Sequence, residues 1–175
     1  MDNAAIGRPH RPMKARRRTA LRSGARGRMP PSIGRPALER WPADAAFNAY
    51  FGFRLREFGA GECTIESPFR DEFERPGGAI CGPVLMAAAD VAIWFAVATL
   101  RGTGERWVTA DLKTAFLRAA DREPFTCTAR VLKIGRQLAY VVAECARQDG
   151  TLLTHHTAIY AHIPDERGRV GQESE

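Results

Sequence analysis

The chain has 175 residues, 26 Lys and Arg against 20 Asp and Glu, and 45% apolar residues. That length suits one domain of ordinary size, and the apolar share excludes wholesale disorder. The cysteines, at 63, 81, 127 and 145, form no C-x-x-C pair. Neither a disulfide framework nor a structural zinc site is expected, and no metal is assigned.

The surplus of positive charge sits at one end. Residues 1–36 hold ten Lys or Arg and one acid, Asp2, whereas the remainder holds 16 basic and 19 acidic residues. Gly and Pro interrupt this tail, and it carries no sustained apolar period, so it cannot bury enough surface to offset its ordering entropy. The expectation for 1–36 is a disordered basic tail. No aromatic side chains alternate with Arg17, Arg18 and their neighbours to stack bases, and a nucleic-acid partner is not expected. Pro9 and Pro12 spoil the amphipathic helix of a targeting peptide.

Residues 42–163 read as the folded domain. Pro42 to Phe51 suits a short helix, with Pro near its start and Gly52 after its end. Residues 53–69 suit a strand hairpin about Gly59-Ala60-Gly61, and 70–83 a charged, glycine-rich loop. Val84 to Leu100 is a run of seventeen residues with one ionisable group, Asp90, between Pro83 and Gly102. A membrane span needs about 20 apolar residues and tolerates a central Asp poorly, so this segment is expected to be a buried central helix. Four strands follow, over 106–117, 124–134, 137–147 and 151–163, the last pair joined at Asp149-Gly150. Alternation puts Val108, Ala110, Leu112, Thr114 and Phe116 on one face of the first, with Thr109, Asp111 and Lys113 on the other. Pro164 and a charged end over 164–175, expected to be disordered, close the chain. The order predicts an α+β fold in which a curled antiparallel sheet wraps one long helix.

Asp90 stands out chemically. A carboxylate amid apolar neighbours must be bonded, paired, protonated or facing a wet cleft. Pro76-Gly77-Gly78-Ala79-Ile80-Cys81-Gly82-Pro83 brings backbone to the N-terminus of the helix, where free N–H groups suit a developing oxyanion. Cys81 could act as a thiolate there, although no His base pairs with it in the sequence, so a lining thiol is the stronger reading. His155 and His156 point to opposite faces of a strand and read as surface or packed side chains.

These features together resemble the hotdog-fold acyl-CoA thioesterases of the PaaI-like group, over roughly 42–163. The family's His-Gly-Gly followed by Leu-Ala-Asp is similar, at the same spacing, to Cys81-Gly82-Pro83 followed by Ala88-Ala89-Asp90. Its T-x-[ED]-L-x-x-x-F-L-R stretch is similar to Thr109 to Arg118, and its K-x-G-R turn to Lys133-Ile134-Gly135-Arg136. The resemblance implies hydrolysis of an acyl-CoA, with an aryl or medium-chain acyl group, and no cofactor beyond the coenzyme A of the substrate. It implies Asp90 as general base or nucleophile, Gly82 as oxyanion donor and Thr109 as holder of the water or carboxylate. Arg75 falls where relatives place an Asn or Gln, and Gly78 and Cys81 line the approach. Lys133, Gly135 and Arg136 would meet coenzyme A phosphates. A cytoplasmic homo-oligomer is implied, dimer or tetramer, with Gly82 and Arg75 of one subunit facing Asp90 and Thr109 of the next. A non-hydrolytic acyl-CoA-binding protein of the same fold is the rival reading.

Overall fold

The structure, a computed structural model, describes the backbone of residues 31–44 and 46–164, and the side chains of 31–40 and 46–164. Helices α1 (Arg35–Asp44) and α2 (Ala46–Phe51) come first. Strands β1 (Arg54–Gly59) and β2 (Glu62–Ser67) follow, then a 3-10 turn over Asp71–Phe73 and the short strands β3 (Glu74–Arg75) and β4 (Ala79–Ile80). Helix α3 (Gly82–Arg101) leads to β5 (Arg106–Phe116), β6 (Phe125–Ile134), β7 (Leu138–Arg147) and β8 (Leu152–Ile163).

Six strands form one antiparallel sheet in the order β1-β2-β6-β7-β8-β5, and β3 pairs with β4 apart from it. Helix α3 lies against this sheet, touching β1, β2, β5, β6, β7 and β8. The helix begins where its sequence permits. Cys81 is the extended N-cap, and Pro83 occupies the first turn, where a missing N–H costs nothing. Gly102, at φ 76°, ends it by donating to the Ala98 carbonyl at 2.8 Å. Leu85, Ile93, Phe95 and Val97 are all but fully buried, and such side chains contribute about 1.5–3 kcal/mol each on leaving water. The α+β arrangement expected from the strand order is the one observed, with α3 as the core helix.

Two expectations about the ends of elements change. The tail boundary at 36 is too late, because residues 32–36 already belong to the fold. Ser32 donates from its backbone N–H and its Oγ to the Thr99 carbonyl, at 2.7 and 2.8 Å. That carbonyl lies in the last turn of α3, where no intrahelical donor reaches it. Helix α1 starts at Arg35, and its Leu38 is fully buried. Residues 1–30 and 165–175 of the two expected disordered ends lie outside the described residues. The expected loop 70–83 also contains structure. Gly77 and Gly78, at φ 102° and 78°, turn the chain between β3 and β4, where other residues would be strained.

The inward face of β5 is a further correction. Its pairing with β8 slips between Thr109 and Asp111, a bulge that adds Ala110 to one strand. Alternation inverts across such an insertion. Leu112, Thr114 and Phe116 oppose Ala158, His156 and Thr154 of β8, as the expected face requires. Before the bulge, Trp107, which is buried, and Thr109, whose hydroxyl reaches Asp90 of the helix, take the inward positions in place of Val108 and Ala110.

Candidate active site

Asp90 lies in the middle of α3, half-buried. Its Oδ1 accepts the Thr109 hydroxyl at 2.5 Å and the Tyr160 hydroxyl at 2.6 Å. Its Oδ2 takes no hydrogen bond from the described residues. The bulge puts Thr109 in reach, and the register then sets Thr109 opposite Tyr160 on β8. Burial, reinforced by the Asp90 carboxylate, holds the Tyr160 phenol well above its ordinary range, so it remains a protonated donor. The carboxylate is therefore held at one oxygen and open at the other. Around it lies a cavity of about 490 Å³ lined by Phe47, Val91, Trp94, Trp107, Val108 and the three bonded residues.

Gly82 stands eight residues earlier, about 12 Å along the helix at 1.5 Å per residue. As the first helical residue it has no intrahelical acceptor for its N–H. A Cβ here would come within 3.0 Å of the Phe116 ring, so glycine permits the close packing of β5 on the helix start. Gly82 lines a second cavity, of about 440 Å³, with Arg75, Ile80, Leu85, Phe116, Leu117 and Arg118. The expected approach residues act more indirectly. Gly78 makes the β3–β4 turn, and Cys81 is the N-cap, its N–H donating to Phe73 at 2.8 Å. Neither lines the cavity.

The two halves of the expected site stay apart within one chain. Arg75 and Gly82 share one cavity and Asp90 and Thr109 the other, with no lining residue in common. The turn holding Gly135 and Arg136 lies at the far end of α3, where the Arg101 guanidinium donates to the Gly135 carbonyl. Arg101 also lies over Trp107, 5.7 Å from the ring centroid. Arg101 thus links Trp107, a wall of the Asp90 cavity, to the 135–136 turn. Lys133 and Gly135 line a further hollow on the outer sheet face, beside Leu138 and Tyr140.

Comparison with known proteins gives the lineage. The model of the thioesterase superfamily matches residues 77–154, which include Gly82, Asp90 and Thr109. A Saccharolobus solfataricus protein that carries an esterase name is 34% identical over 110 residues, covering 63% of this chain and 77% of that one. The chain belongs to the thioesterase superfamily. A solved structure of a phenylacetic acid degradation-related protein from Ralstonia eutropha aligns with TM-score 0.65 and 27% identity, over 71% of this chain and 98% of that one. The E. coli PaaI protein superposes with TM-score 0.68 at 18% identity, over 74% and 92%, which shows the shared fold. This thioesterase-superfamily chain thus has the hotdog architecture, its sheet wrapped on α3.

Within that superfamily frame, sequence reasoning missed Tyr160, whose hydroxyl looks like any buried strand tyrosine until β5 is placed beside it. It also missed Trp94, Trp107 and Arg118 as cavity walls. His156 proves fully buried, with Nδ1 2.9 Å from Thr114 Oγ1 and Nε2 2.7 Å from Thr154 Oγ1. His155 faces out, 3.3 Å from Glu144. The opposite facing of this pair holds.

Proposed function

We propose that this thioesterase-superfamily chain hydrolyses acyl-CoA thioesters with an aryl or medium-chain acyl group. The carrying observation is the half-bonded carboxylate: Thr109 and Tyr160 fix Asp90 Oδ1, and Oδ2 is left for chemistry. Asp90 Oδ2 takes a proton from water as the water oxygen bonds to the thioester carbon. The carbonyl oxygen gathers the charge and is met by the Gly82 N–H. The C–S bond then breaks, and the departing thiolate recovers the proton from Asp90. Direct attack by Oδ2, followed by hydrolysis of the anhydride, uses the same atoms and ends in the same products. A base of this kind is worth roughly 10²–10⁴-fold, and one oxyanion donor roughly 10²–10³-fold.

Both groups must reach one carbonyl, and the separation of their cavities in a single chain supports a site shared between two copies. β5 is an eleven-residue edge strand with one neighbour, β8, and such an edge invites a second copy. In that reading Gly82 and Arg75 of one subunit face Asp90 and Thr109 of the other. The acyl body occupies the Gly82 cavity, against Ile80, Leu85, Phe116 and Leu117. The pantetheine arm passes Trp94 and Trp107, and Lys133 and Arg136 receive the phosphates, to which guanidinium offers paired bonds.

Coenzyme A release from a panel of aryl and medium-chain acyl-CoAs, followed with a thiol reagent, tests this reading. Steady release that falls by roughly 10²-fold or more in Asp90→Asn is expected. Saturable binding without release would establish the non-hydrolytic alternative instead.

A further inference from the structure

The cavity that holds the oxyanion donor is also a cationic one. Arg75 and Arg118 both line it, and among the described residues neither pairs with a carboxylate. Each guanidinium has a single backbone contact. Arg75 Nη1 lies 3.4 Å from the Pro76 carbonyl, and Arg118 Nη1 donates to Leu152 at 3.0 Å. Four acids near them in the chain, Asp71, Glu74, Asp121 and Glu123, are engaged by other arginines. Arg122 takes Glu74 at 3.1 Å and Asp71 at 3.4 Å, while Arg147 takes Asp121 at 2.5 Å and approaches Glu123 at 3.7 Å. Four acids are thereby spent on two arginines that do not line the cavity. The two that do are exposed at the mouth of the cavity, with no carboxylate among the described residues paired to either.

We infer that Arg75 and Arg118 bind a carboxylate carried by the acyl group, so that the preferred substrate is the monothioester of a dicarboxylic acid. The inference rests on the thioesterase reading and narrows it. An anion beside these guanidiniums shares one small cavity with the Gly82 N–H, and hence with the thioester carbonyl. The whole pantetheine arm separates that carbonyl from the coenzyme A phosphates. The apolar walls Leu85, Phe116 and Leu117 suit the carbon chain between the two acid functions, and guanidinium is the side chain best shaped to take a carboxylate on two bonds.

The test compares glutaryl-CoA with hexanoyl-CoA, in which a terminal ethyl group replaces the carboxylate, and repeats the pair as pantetheine thioesters. Full-length protein and its Arg118→Gln and Arg118→Lys variants are assayed. The wild type is expected to favour glutaryl by about tenfold or more in kcat/KM, on both carriers. Arg118→Gln should lower kcat/KM for glutaryl by a much larger factor than for hexanoyl, erasing most of that preference, and Arg118→Lys should keep part of it. Equal rates on glutaryl and hexanoyl thioesters would overturn the inference. So would an Arg118→Gln defect present on coenzyme A esters and absent on pantetheine esters, which would assign the arginine to phosphate. Equal losses on all four substrates would assign Arg118 to holding β5 against β8. If the wild type hydrolysed none of them, the thioesterase reading would fail by itself. Calorimetric affinities for the same pair would then decide the anion site, with about tenfold tighter glutaryl binding expected and equal binding overturning it.

Discussion

The Tyr160 hydroxyl meets Asp90 twice, at 2.6 Å from Oδ1 and 2.8 Å from the backbone carbonyl of the same residue. One phenolic proton serves both acceptors, so the side chain of Asp90 and its own helical turn are pinned by a single group from β8. Tyr160 is thus a positioning residue for the carboxylate. Tyr160→Phe should lower kcat by about tenfold with KM nearly unchanged, because the ring still packs but Oδ1 loses one of its two donors. Tyr160→Phe combined with Thr109→Val should lower kcat further, and a double variant as active as wild type would remove both residues from the catalytic arrangement.

The proposal of a site shared between two copies makes a mixing prediction. Asp90→Asn and Gly82→Val each disable one half, the second because a branched side chain would press on the Phe116 ring. Each alone should be inactive. After denaturation and joint refolding, roughly a quarter of wild-type activity should return, since mixed dimers hold one intact site. Failure to recover any activity, with mixed dimers demonstrated, would place both halves in one chain.

Arg136→Ala should raise KM for acyl-CoA by about tenfold and leave a pantetheine thioester unaffected. Steady-state kinetics on the two carriers checks this. Equal impairment would point to a structural role for the 135–136 turn, which Arg101 anchors.

Burial pushes the Cys63 thiol up to about 12, and burial also raises Cys127. A folded-state value above the unfolded one stabilises the protein below about pH 9 and is lost as pH climbs toward 12. The urea midpoint should therefore fall on going from about pH 8 to about pH 11, with a shallower fall in Cys63→Ala. Under native conditions at neutral pH, iodoacetamide should label Cys81 first, because the other three thiols are buried. Mass spectrometry of the digested protein reads the site.

The long elements were legible because their signals are long. Seventeen residues with one charge leave few readings other than a core helix, and Asp90 announces itself by contrast. Thr109 was legible as a resemblance and illegible as geometry, because Ala110 adds a residue that period-two counting cannot see. Arg35 and Pro36 looked like more of the basic tail, since the bonds that hold Ser32 come from Thr99, sixty-seven positions away. The β3–β4 hairpin escaped notice for the opposite reason, being too short for any period. The cationic cavity needed the ion pairs of Arg122 and Arg147, and partner choice among neighbouring arginines is a three-dimensional fact.

The extra residue in β5 gives the strand something akin to a reading frame. Upstream of Ala110, odd-numbered side chains point at the helix, and downstream even-numbered ones do. Deleting that one small, exposed alanine would change almost no composition and no charge, yet it would force either Thr109 or the Leu112–Thr114–Phe116 series onto the wrong side. The hydrogen bond from Thr109 to Asp90 is thus protected by a count as much as by identities. Among relatives, a length change within this strand would be a sharper sign of lost activity than many substitutions along it.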